Sequence, residues 1–176
     1  MKILITGHTS GLGQALYNHF NSQGIHEVIG VSRSTGYEFL ECYSRVLEIA
    51  RTCDLFFNNT NWDVLQSEFI KDLKDCRSLM MITSGSVAAN YDFSDYCLHK
   101  KHVQETFFMH KPYYGNRCLL LRMGYLENRI GRFKAPPGIA PRDYYIIPFS
   151  VIIESVDFWL KHRRITLIEL ENIVKL

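Results

Sequence analysis

The apolar positions of this chain keep two rhythms that take turns. Short, nearly uninterrupted apolar runs at Ile3–Ile5, His26–Val31, Cys53–Thr60, Leu79–Thr83, Arg117–Met123 and Arg164–Leu170 predict buried strands, and Tyr37–Leu40 predicts a further short strand, third in chain order. Between them the apolar residues recur at helical spacing. Leu12, Ala15, Leu16, His19 and Phe20 form one such set, Val46, Leu47, Ile49 and Ala50 a second within Cys42–Thr52, and Val64, Leu65, Phe69, Ile70 and Leu73 a third within Trp62–Cys76. A fourth helix opens at Ser94 or Asp95, either able to cap it, and runs to about His110 before Pro112 and Gly115. The last follows Pro148 and carries Val151, Ile152, Ser155, Val156, Trp159 and Leu160. Strand and helix alternating in this way predict parallel βαβ units. Gly131, Pro136, Pro137, Gly138 and Pro141 make the 127–147 segment an irregular loop.

Composition narrows the picture without deciding it. A chain of 176 residues, 47% of them hydrophobic, can bury one substantial core, so a single domain over residues 1–176 is expected. The net charge of +2 and scattered basic residues speak against a nucleic-acid partner. The expectation is also of no membrane partner, because the opening apolar run is too short for a signal h-region and no later run reaches the length of a span. Cys42, Cys53, Cys76, Cys97 and Cys118 are an odd number, widely spaced and without a C-x-x-C pair, which fits reduced thiols in a cytoplasmic protein. His99, His102 and His110 share one helix, but no third ligand follows the first two, and no metal site is expected.

The chemistry starts at Thr6-Gly7-His8-Thr9-Ser10-Gly11-Leu12-Gly13, between the first strand and the first helix. Such a turn lets backbone approach an anion and aims the free N–H groups and positive end of the helix at a diphosphate. Gly7 permits the tight turn, Gly11 leaves room for the ligand, and Gly13 lets helix and strand pack closely. At the end of the second strand, where an acid would bind a free ribose 2′-hydroxyl, the chain has Ser32, followed by Arg33 and Ser34, which suit a 2′-phosphate. Further along stand Asn58-Asn59-Thr60 at a strand end, then Ser84-Gly85-Ser86 after another, then Tyr96 and Lys100 four apart on one helix face, then Gly124 after the sixth strand.

This ordered set, from Thr-Gly-x3-Gly-x-Gly through Asn-Asn and Ser to Tyr-x3-Lys, resembles the short-chain dehydrogenase/reductase family, and the chain is similar to a shortened member. The resemblance implies a doubly wound α/β domain of about seven parallel strands in order 3-2-1-4-5-6-7, with helices on both faces and its site at the carboxyl ends of the strands. It implies reversible hydride transfer between a nicotinamide cofactor, NADP(H) in preference to NAD(H), and a small carbonyl or alcohol substrate. Tyr96 would be the acid/base, helped toward phenolate by the Lys100 ammonium. Lys100 would also hold the nicotinamide ribose, and Ser84, with Ser86 as alternate, would hydrogen-bond the substrate oxygen. Cofactor contacts fall by the same likeness on Gly7, Thr9, Ser10, Gly11, Leu12, Gly13, Ser32, Arg33, Ser34, Asn58, Asn59, Thr60, Tyr96, Lys100, Gly124 and Leu126. The 127–147 segment would be the substrate lid.

The chain also departs from the family. Thr60-Asn61 stand where Ala-Gly is usual, Met123 replaces a proline, and no asparagine lies between Asn61 and Ser84 to supply the proton relay. Either a different residue or water fills that role, or the relay is lost. Loss would favour an alternative, a non-catalytic NADP(H) sensor on the same fold. A nucleotide-sugar epimerase of the extended branch is a third option, needing a sizeable C-terminal substrate domain where only about fifty residues follow Gly124. Val103, Phe107 and Phe108 on one helix, with Phe69 and Leu73 on another, give more apolar width than one sheet face needs and predict a homodimer or homotetramer.

Overall fold

The structure is a computed structural model that describes residues 1–37, 39–60, 64–87, 95–124, 126 and 147–170. Six strands form one parallel sheet: β1 (Lys2–Thr6), β2 (Glu27–Val31), β3 (Leu55–Asn58), β4 (Met80–Ser86), β5 (Cys118–Met123) and β6 (Leu167–Leu170), in the order β2-β1-β3-β4-β5-β6. The connecting helices are α1 (Gly11–Ser22), α2 (Phe39–Arg51), α3 (Leu65–Asp72), α4 (Asp95–Tyr114) and α5 (Phe149–His162).

Residue parity along the strands explains why these segments are apolar without a break. Ile3, Ile5, Leu55, Phe57, Met80, Ile82, Leu119 and Leu121 face α1 and α5, packing with Leu16, Phe20, Ile152, Val156 and Trp159. Leu4, Phe56, Met81 and Leu120, the residues between, face the other way onto Val46, Ala50, Phe69, Ile70, Val103 and Phe107 of α2, α3 and α4. With both faces covered, a strand has no solvent side to mark with polar residues. No helix among the described residues is long and apolar enough to cross a membrane.

Three expectations need correction. The third strand at Tyr37–Leu40 does not form: the chain turns at Gly36, whose φ is +83°, and α2 has already begun at Phe39. A four-residue apolar run carries no period of its own, and here the helix that follows absorbs it. Removing that strand from the predicted order leaves the observed one unchanged otherwise. The fourth helix passes through Pro112 and stops only at Gly115, with φ of +58°. Proline in a last turn forfeits one hydrogen bond and can be carried there. Finally, Val103, Phe107, Phe69 and Leu73 are spent on the core at 0–1% exposure and are not surplus, whereas Leu98, Phe108, Met109 and Tyr113 of α4 are exposed. The expected lid in the 127–147 segment, but for Ile147, and the Ser94 cap lie outside the described residues.

Candidate active site

The sheet order reverses direction between β1 and β3, and an open α/β sheet offers its crevice at the carboxyl ends beside such a reversal. Thr6 ties the two strand ends together there. Its Oγ1 donates to the Phe57 carbonyl at 3.0 Å and accepts from the Asn59 N–H at 2.9 Å.

The glycine turn leaves β1 at this point. Gly7 and Gly11 have φ of +71° and +55°, the left-handed region that a side chain resists. A Cβ on Gly13 would stand 2.6 Å from the Gly7 carbonyl carbon and closer still to its oxygen, so α1 lies directly on the turn. His8 holds the turn against the sheet. Its ring fills the space a side chain at Gly30 of β2 would need and packs 5.1 Å from the Tyr17 ring. The first turn of α1 carries no acid, and Ser10 at its N-cap makes no side-chain capping bond, which leaves that helix end suited to an external anion.

The end of β2 comes to the same turn through hydroxyls. Ser34 Oγ donates to Thr9 Oγ1 at 3.1 Å and lies 3.0 Å from Ser32 Oγ, while Ser32 N–H donates to Thr35 Oγ1 at 3.1 Å. Arg33 is exposed beside them. At the end of β3, Asn59 borders Gly7, Thr60 is buried, and Asn58, the last residue of the strand, is wholly buried as a brace whose Nδ2 donates to the Gln66 carbonyl at 2.8 Å. Gly124 N–H donates to the Leu170 carbonyl at 2.9 Å, and Leu126 pairs with Ile147 in an isolated parallel bridge.

The second half of the site gathers on β4, α3 and α4. Lys100 is 3% exposed, and its Nζ donates to Ser84 Oγ at 3.3 Å and to Gln66 Oε1 at 2.7 Å. Tyr96, one turn earlier on α4 and 37% exposed, has its ring centroid 5.8 Å from that Nζ. Ser86, two residues on along β4, is buried, and its backbone carbonyl accepts from Gln104 Nε2 at 3.2 Å. Gln66 closes the cluster. Its Nε2 faces the Asn58 carbonyl at 2.8 Å, the Ser84 carbonyl at 2.9 Å and Ser84 Oγ at 3.1 Å. The reversed amide would set its oxygen against two carbonyls and its NH₂ against an ammonium, so the network leaves one orientation.

The direction of the Ser84 hydroxyl follows from its neighbours. An ammonium and an amide NH₂ can only donate, and both donate to Ser84 Oγ. Its own hydrogen therefore points to something else, which makes Ser84 a donor. Gln66 is the residue that sequence reasoning passed over. The signal was present: Gln66 stands at helical spacing from Ile70 and Leu73, a polar residue on the buried face of α3, where it is 0% exposed.

Among the described residues no group of three or more His, Cys, Asp and Glu side chains could hold a metal ion, and all five cysteines are free thiols. No protein-family model matches the chain, and no curated protein matches its sequence. Solved structures do resemble it. The alcohol dehydrogenase of the archaeon Thermococcus sibiricus, complexed with 5-hydroxy-NADP, matches with a TM-score of 0.66 at 18% identity, over 99% of this chain and 97% of its own. A short-chain dehydrogenase/reductase family protein gives 0.70 at 14% identity, over 97% and 95%. The UDP-glucuronic acid 4-epimerase of Bacillus cereus, in complex with NAD, gives 0.69 at 12%, over 99% of this chain and 80% of its own. At such identities the likeness is one of architecture, and in architecture this chain has the fold of the short-chain dehydrogenases/reductases.

Proposed function

We propose that the protein is an oxidoreductase that moves a hydride reversibly between a nicotinamide cofactor and a carbonyl/alcohol pair. The observation that carries this reading is the meeting of Ser84 and the buried Lys100 ammonium at 3.3 Å, with the Tyr96 ring over the same Nζ. A buried cation beside a phenol and a donor hydroxyl is an arrangement fitted to moving a proton at an oxygen. In reduction, the Ser84 O–H binds the substrate carbonyl oxygen and Tyr96 gives that oxygen its phenolic proton. The phenolate left behind is favoured by Lys100 and regains a proton from solvent. In oxidation the proton returns to Tyr96. A nicotinamide, when bound, would supply or take up the hydride at the substrate carbon.

The donor set suits a phosphorylated dinucleotide. The glycine turn with Thr9, Ser10, Gly11, Leu12 and Gly13 would hold the diphosphate, and Arg33 with the Ser32, Ser34 and Thr9 hydroxyls would hold a 2′-phosphate, giving NADP(H) preference over NAD(H). Five free thiols suit a reducing cytoplasm. The exposed Leu98, Phe108, Met109 and Tyr113 on α4 support self-association as a homodimer or homotetramer, and light scattering showing a monomer mass at micromolar protein would remove that part of the reading.

The deciding experiment follows NADPH consumption by the purified protein against a panel of aldehydes and ketones. Turnover of at least one carbonyl is expected. Tight NADPH binding without turnover of any carbonyl or alcohol would replace the enzyme with a cofactor sensor.

A further inference from the structure

We infer that Gln66 is a positioning residue for this chemistry: one end of its amide fixes the Lys100 ammonium and the other turns the Ser84 hydroxyl toward substrate. The inference rests on the oxidoreductase reading above. As a brace alone, Gln66 needs only its reciprocal pair with Asn58, in which Asn58 Nδ2 donates to the Gln66 carbonyl and Gln66 Nε2 donates to the Asn58 carbonyl, each at 2.8 Å. That pair leaves Oε1 and the second amide hydrogen over. Both go to the reacting cluster: Oε1 accepts from Lys100 at 2.7 Å, and the hydrogen is shared between the Ser84 carbonyl and Oγ at 2.9 and 3.1 Å.

Each contact has a consequence for reactivity. A buried ammonium keeps its charge only when acceptors replace its lost water, and Gln66 Oε1 at 2.7 Å is such an acceptor for Lys100. Because that acceptor is a neutral amide, Gln66 holds the ammonium in place without itself cancelling the charge that faces Tyr96. The donation to Ser84 Oγ fills one of that oxygen's acceptor sites, so the hydroxyl hydrogen is directed outward. Gln66 comes from α3, 18 residues before Ser84 and 34 before Lys100, so one side chain sets two groups carried by separate elements.

The test uses Gln66→Met, which removes both ends at similar length, and Gln66→Asn, which keeps the amide but withdraws it by one C–C bond of about 1.5 Å. With a carbonyl that the wild type reduces, kcat is expected to fall about 10–100-fold in each variant, the range for displacing a reacting group by an ångström, with KM changed far less. In a Lys100→Ala background, adding Gln66→Met should cost clearly less than it does alone, because the part of its effect that runs through Lys100 is already gone and only its hold on Ser84 is left to lose. Should Gln66→Met fail to fold, Gln66→Asn and the pair Gln66→Asn, Lys100→Ala carry the same test. Wild-type kcat in the Asn variant, or losses that multiply independently in the double variant, would overturn the inference alone. A wild type without turnover on any carbonyl or alcohol would overturn the proposed function and this inference together.

Discussion

The two halves of the site are made of different material. On β1, α1 and the end of β2, the parts are backbone and small residues: two left-handed glycines, a helix end without an acid, and a run of hydroxyls. On β4, α3 and α4 the parts are side chains, and Ser84, Gln66 and Lys100 depend on one another across 16 to 34 positions. On the proposed function the first half would bind by shape and fixed dipoles. The second would react, and its geometry is only as good as the packing of three elements. Changes in the two halves should therefore separate binding from turnover.

Tyr96→Phe gives the largest separation. It keeps the ring that faces Lys100 and deletes the one group placed to exchange a proton with substrate, so kcat should drop by about 10²–10⁴, the span assigned to general acid–base catalysis. NADPH affinity, measured by fluorescence titration, should stay near the wild-type value. Unchanged turnover would mean that the reacting half has been placed on the wrong residue.

Gly13→Ala tests the other half. The added Cβ meets the Gly7 carbonyl, which is backbone and cannot step aside, so the change should cost at least about 3 kcal/mol, the upper end of the range for overpacking. Because it forces α1 off the turn, NADPH binding and thermal stability should fall together. A variant that binds and melts like the wild type would show that the close contact of helix and turn is not needed.

The same division governs what the sequence reveals. Gly7, Gly11 and Gly13 are legible because each answers a local demand, a positive φ or a close approach, within seven residues of chain. The six strands are legible because sheets covered on both faces leave unbroken apolar runs, and the one false strand, Tyr37–Leu40, is a four-residue run broken by Glu38 that adjoins a helix. Ser84, Tyr96 and Lys100 are picked out by order and spacing; Gln66 is marked locally only as a polar residue on the apolar face of α3, and nothing local names its partner, a lysine 34 residues on. Only the packing of α3 against α4 and β4 brings them together. Likewise Val103, Phe107, Phe69 and Leu73 read as surplus apolar surface until the sheet they cover is in view.

Arg33→Ala is the smallest of these changes and the sharpest test of the binding half, because it asks a question of one phosphate. Arg33 is exposed at the end of β2, beside a hydroxyl chain from Ser32 through Ser34 to Thr9 that connects directly to the glycine turn. A guanidinium there has no reason to favour NADH, which offers a neutral 2′-hydroxyl, whereas a 2′-phosphate would take charge-assisted hydrogen bonds from it. A hydrogen bond to a charged group contributes about 1.5–3 kcal/mol, so losing it should weaken NADPH binding roughly tenfold or more. NADH binding should hardly move. Neither kcat at saturating NADPH nor thermal stability should change much, since Arg33 is far from the reacting half in the fold's order of elements and is exposed. Equal weakening of both cofactors would show that Arg33 supports the turn and does not read the phosphate. Tighter binding of NADH than of NADPH by the wild type would reverse the cofactor preference altogether and leave Ser32, in place of an acid, without a phosphate to explain it.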